Sequence, residues 1–204
     1  MNGEKFAFKR FLKALRACGK DEDGVAAVEF ALIFPVMLLL LLGAMELSER
    51  LYQSSRTVQA ASLMGDLVTQ ASTGSITSAE IEDFYKAMKY ALDPFDDNRV
   101  KIYIAAFRED TSNPGEVRIA WRKQLGSFNN AECKDFVKSD LPSDLKGIVT
   151  SGTDIVATRV CWEYKTPLKN LKLLKFINGL RFLKREVFLR PRAGNQLTCS
   201  SGCS

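Results

Sequence analysis

Few residues in this chain have the means to take part in chemistry: Gly24, Val25 and Glu29, where the charged cluster DEDG meets an apolar run, and the cysteines. Glycine leaves the backbone unencumbered, so the Gly24–Val25 peptide bond is a candidate substrate for an external peptidase. Hydrolysis there would put a new α-amino group, cationic near neutral pH, on Val25. Glu29 would become the fifth residue of the product, one helical turn from that amine on its own chain or facing the amine of a neighbour. Such a pair would align subunits packed side by side.

Four cysteines, Cys133, Cys161, Cys199 and Cys203, follow the apolar run, an even set suited to two disulfides in an oxidising compartment. Three connectivities are open. Cys199 and Cys203 lie close together in TCSSGCS and either close a small loop or each staple the tail to the body. With no histidine in the sequence, a metal site would have to be made from cysteine alone, and the spacings match no zinc motif. No metal or other cofactor is expected.

A catalytic constellation is also missing from the pattern. Without histidine there is no ordinary base for a serine or cysteine nucleophile, and neither a G-x-S-x-G nor a P-loop motif occurs. The acidic groups Glu80, Glu82, Asp83 and Asp93, Asp96, Asp97 read as solvated faces and turns. The expectation is a chain that an enzyme acts on rather than an enzyme. Its net charge of +5 falls to +3 if residues 1–24, with six basic and four acidic side chains, are removed. That is too mild to point to nucleic acid.

The element that positions Gly24, Val25 and Glu29 is the apolar run itself. From Val25 to Met45 the one charged residue is Glu29. A helix of that length spans roughly 31 Å, the hydrocarbon thickness of a bilayer, so residues 25–46 read as one transmembrane span. A carboxylate in such a span costs on the order of 2.5–3.5 kcal/mol and is rarely kept without a partner. Basic residues before the span place the N-terminus in the cytoplasm and residues 47–204 outside it. Residues 1–24 then form an amphipathic leader, and Cys18 would leave with it. An uncleaved anchor explains the run but makes Gly24 and Glu29 accidents. A cleaved secretory signal fits less well, because the run is long and Leu42 stands where a small residue is expected.

The stretch GVAAVEFALIFPVMLLLLLGAMELSERLYQSSRTVQAAS, with Glu29 and Phe30 in the fifth and sixth places after Gly24, resembles TadE-like pseudopilins of the tight-adherence type IVb pilus system. WEYKTPL and VFLRPR are similar to the closing part of such domains, though the motifs are short. The resemblance implies removal of the leader by a prepilin peptidase. It also implies a minor pilin or assembly factor in the bacterial inner membrane with a periplasmic head. Its partners would be other pilus or pseudopilus subunits, the inner-membrane assembly platform and the bilayer. The rival reading is an unprocessed membrane-anchored binding or sensor protein.

Behind the span, one helix is expected to continue to about Ala71, turning Leu47, Leu51, Ser54, Val58, Ala61, Gly65 and Val68 toward a globular head. Pro35 should kink it or loosen one turn. Thr77 and Glu80 form a capping box opening a second helix to about Leu92. RVKIYIAAFRE and EVRIAWRKQ flank an Asn-Pro-Gly turn and predict a hairpin, residues 129–140 a short helix, and TDIVATRVCWEYKT and KREVFLRPR two further strands. The side of the third strand bearing Val156, Val160, Trp162 and Tyr164 is the richer in large apolar groups. Residues 168–184 read either as a basic amphipathic helix or as a connection packed on the head. The fold class is α+β: a long helix packed on an antiparallel sheet.

Overall fold

The computed structural model describes residues 23–91, 99–164 and 182–203. The leader with Cys18, the Leu92–Asp97 end of the second helix, and residues 165–181 lie outside the described residues. The fold is α+β, as the sequence predicts. Helix α1 runs Asp23–Thr69, α2 runs Ser78–Ala91, and a short α3 runs Ser143–Val149. Strands β2 (Val100–Glu109), β3 (Val117–Leu125), β4 (Ile155–Glu163) and β5 (Phe182–Leu189) form an antiparallel sheet in the order β3-β2-β4-β5. A parallel ribbon pairs β1 (Ser75–Thr77) with β6 (Thr198–Ser201). The chain divides into two units, Met1–Ser48 and Glu49–Ser204.

In the first unit α1 carries large apolar side chains all round. Val25, Val28, Phe30, Leu32, Leu40 and Met45 are each more than half exposed. A helix apolar on every side needs lipid or protein around it. This is the one helix among the described residues long and apolar enough to cross a membrane. It passes through Pro35 without a break. Proline has no N–H to give the Ala31 carbonyl, so the loosening predicted there amounts to one absent hydrogen bond.

The second unit is a sheet with a core on each face. On the first face, Ile102, Ile104, Val156 and Val160 pack with Ala60, Ala61, Met64 and Val68 of α1 and Ile81 and Met88 of α2. Of the inward stripe expected on α1, Ala61, Gly65 and Val68 are buried as predicted, but Leu51 and Val58 are 62% and 41% exposed, and Thr57, Ala60 and Met64 are buried instead. The face that meets the sheet carries Thr57, Ala60, Ala61, Met64, Gly65 and Val68, and Leu51 and Val58 lie off it. On the second face, Tyr103, Ala105, Phe107, Ile155, Ala157 and Cys161 pack beneath Cys133, Phe136, Leu141 and Val149. The leaner side of β4 is therefore as thoroughly buried as its partner.

The helix expected at 129–140 is absent. Its place is taken by turns, extended chain and a 3-10 turn at Lys138–Asp140. The carbonyls that a helix would use are engaged elsewhere. Tyr103 donates its hydroxyl to the Cys133 carbonyl at 3.1 Å, and Arg159 donates to the carbonyls of Lys134 and Asp135. Phe136 points into the second core, edge-on to Phe107 with centroids 5.9 Å apart. These tertiary contacts outweigh the modest helical propensity of the segment.

Two local devices hold the strands in register. A bulge in β3 opposite Ala106/Phe107 shifts the alternation, so that Ile119 faces the second core and Trp121 the first. After β3, Gly126 has φ +82°, and a Cβ there would meet the Val100 carbonyl oxygen at 2.3 Å. That turn therefore requires glycine.

Candidate processing site

Gly24, Val25, Glu29 and Phe30 all lie in the first two turns of α1. The first four N–H groups of a helix have no acceptor within it, and in α1 these include the amides of Gly24 and Val25. Peeling this end open exposes the Gly24–Val25 bond at the loss of few hydrogen bonds. Gly24 adds no side chain to obstruct an approaching active site. Val25 is 57% exposed and Glu29 is exposed, one turn further along the same side. Phe30 packs against Phe34 with ring centroids 5.5 Å apart, a pair on the helix surface rather than in a core. The helix thus presents the Gly24–Val25 bond and the Glu29 carboxylate together at one exposed end.

The cysteines resolve into Cys133–Cys161 and Cys199–Cys203. The first bond joins the 129–141 segment to the middle of the sheet, since Cys161 lies on β4. The second closes the small loop that TCSSGCS allowed. Among the described residues, no three of Cys, Asp and Glu are grouped so as to hold a metal ion.

Two buried polar clusters were not evident from the sequence. Arg159, 2% exposed, ion-pairs with Glu186 at 2.8 Å and Asp140 at 2.9 Å and lies 4.2 Å from the centre of the Phe136 ring. Burial would raise the Asp140 carboxyl. The Val137 amide and the Arg159 guanidinium, with the charge of Lys184, nevertheless hold it below the usual carboxylate range. On the other face Asp154, fully buried, accepts from Arg108 at 2.9 and 2.7 Å and from the Leu197 amide at 2.8 Å. The Leu197 carbonyl accepts from Trp121 Nε1 at 2.7 Å and from Arg108 at 3.2 Å. The one signal in the sequence was a charged residue at the start or middle of an apolar strand.

Residues 24–65 match the family model described as TadE-like protein. Comparison with curated proteins and comparison with solved structures each return no match.

Proposed function

From the TadE-like character of residues 24–65 we propose that this protein is a minor pilin or pseudopilin of a tight-adherence type IVb pilus or secretion complex, cut after Gly24 by a prepilin peptidase. The observation that carries this reading is the coincidence of boundaries: the family match begins at Gly24, at the first turn of the exposed apolar helix. The N-terminus lies in the cytoplasm, α1 crosses the inner membrane, and the second unit is exported. Export suits the two disulfides. The chain serves as substrate and subunit and catalyses nothing itself.

Processing changes the electrostatics of the helix end. A free ammonium at Val25 opposes the positive end of the helix dipole, and Glu29 within reach of that turn offsets it. In an apolar setting the Glu29 carboxylate is costly alone, so it favours the amine of a neighbouring subunit and thereby fixes how far along the axis two helices sit.

The test is the intact mass and N-terminal sequence of the protein extracted from membranes of its native host. A chain starting at Val25 supports the reading. A chain still starting at Met1 while the machine is active overturns it in favour of an unprocessed anchor. The head would then be searched for ligands, beginning with the recess of about 300 Å³ lined by Glu116, Lys138 and Lys146.

A further inference from the structure

The two disulfides differ in what can reach them. Cys133 and Cys161 are 4% and 0% exposed and sit inside the second core with Tyr103 and Phe136 around them. Cys199 and Cys203 lie at the rim of the first core, half-buried, and Thr198, Ser200, Ser201 and Gly202 around them are exposed. Thiol exchange needs a thiolate to reach a sulfur in line with the bond, so access divides the pairs before any other factor. We propose that Cys199–Cys203 is a thiol-exchange site for a dithiol protein of the exported compartment, and that Cys133–Cys161 is closed to the same reagent.

The exchange balances without further reactants. A partner thiolate attacks one sulfur of the pair, forming a mixed disulfide and releasing the other sulfur as a thiolate that takes up a proton. The partner's second thiolate then attacks the mixed disulfide. Cys199 and Cys203 are left as two thiols, reduced by two electrons, and the partner leaves as a disulfide. In reverse, an oxidised partner installs the bond.

The surroundings allow this bond to open without unfolding the head. Cys199 and Cys203 are separated by 4 residues, against 28 for Cys133 and Cys161, so the small ring constrains little chain. Upstream, Leu197 is fully buried and its amide and carbonyl are held by Asp154, Trp121 and Arg108. Thr198 donates to the Gly74 carbonyl at 3.0 Å, and Cys199 stands opposite Ile76 in the ribbon. Cys199 therefore keeps its place when the bond breaks, and Cys203 is the sulfur set free. Gly202 sits in the ring at φ +72°, where a Cβ would meet the Ser78 Cβ at 2.8 Å, so the closed ring lies flat against the start of α2. Opening the second-face bond would require the cover over β4, a central strand, to lift first.

The experiment uses the full chain in detergent, with Cys18, where retained, blocked beforehand. Dithiothreitol is added under native conditions, and newly freed thiols are alkylated at timed intervals and located by mass spectrometry. Cys199 and Cys203 are expected to appear about tenfold or more faster than Cys133 and Cys161, with the difference abolished in concentrated guanidinium. In a second arm, a thioredoxin-like dithiol protein lacking its resolving cysteine is expected to be recovered covalently bound to Cys199 or Cys203. Equal rates for the two pairs under native conditions, earlier labelling of Cys133 and Cys161, or no covalent adduct would each overturn the proposal.

Discussion

Gly65 of α1 lies so close to Leu189 of β5 that a Cβ on the glycine would come within 2.9 Å of the leucine Cδ1, and within 3.3 Å of Thr158 Oγ1. The helix adds no side chain of its own here, and the Leu189 and Thr158 side chains of the sheet reach its backbone. The glycine costs α1 about 1 kcal/mol of helical propensity relative to alanine, which close packing must offset.

Gly65→Ala is expected to change stability by less than about 1 kcal/mol, because the end of Leu189 can swing aside while the helix gains propensity. Gly65→Val adds branched bulk against β4 and should destabilise by about 1–3 kcal/mol. Thermal unfolding of the detergent-solubilised chain measures both, and a valine variant as stable as the parent would contradict the packing described.

Arg159→Met leaves the Asp140 and Glu186 carboxylates without their central cation, although both retain partial exposure and Glu186 keeps Lys184 at 2.8 Å. The expected loss is about 3 kcal/mol, the lower end for a broken buried pair. The same cluster gives a pH dependence. The folded Asp140 carboxyl titrates below its unfolded value, so its contribution is complete above the ordinary carboxylate pKa and disappears as pH falls through the folded one. Asp140→Asn should therefore lower the melting temperature near neutrality, with the two curves converging below about pH 4. Parallel curves throughout would show that Asp140 does not titrate in this way.

Asp154→Ala strands both the Arg108 guanidinium, 16% exposed, and the Leu197 amide. It should cost about 3–5 kcal/mol. Trp121→Phe removes one of two donors to the Leu197 carbonyl and should cost about 1 kcal/mol. Denaturant titration would order them, and the reverse order would place the weight of this lock on the indole instead.

Glu29→Val removes the charge from the exposed apolar stretch of α1 and should leave membrane insertion intact while reducing recovery of the protein in assembled complexes. Fractionation of membranes and sheared pili reads this directly. Normal assembly of the variant would dispose of the register role proposed for Glu29.

What could be read in the sequence was what neighbours along the chain decide. The α2 capping box is present as predicted: Thr77 accepts the Glu80 amide at 3.2 Å, and Glu80 accepts the Thr77 amide at 2.7 Å. The hairpin forms around its Asn-Pro-Gly turn, with the Asp110 backbone amide donating to the Glu116 carbonyl at 2.8 Å. Gly24, Val25 and Glu29 stood out for the same reason, since their spacing is local. The rest depends on distant partners. Residues 129–140 lose their helix to Tyr103 and Arg159, the β1–β6 ribbon joins segments far apart, and the Cys133–Cys161 pair forms only because the 129–141 segment folds over β4. α1 turns inward the face of Ala60, Ala61, Met64 and Val68 and leaves Leu51 and Val58 outside, because fit against the sheet decides the face.

Ser54 and Arg185, hydrogen-bonded at 2.6 Å, are separated by 131 residues. As the chain is made from its N-terminus, Ala60, Met64 and Val68 exist long before β4 and β5 arrive to cover them. At about 5–20 residues per second, the inner face of α1 is uncovered for on the order of ten seconds. Non-local closure of this kind is also slow in itself. The nascent head therefore passes through a period as a bare amphipathic helix, when a holding chaperone or a membrane surface competes directly with the sheet that will later claim it.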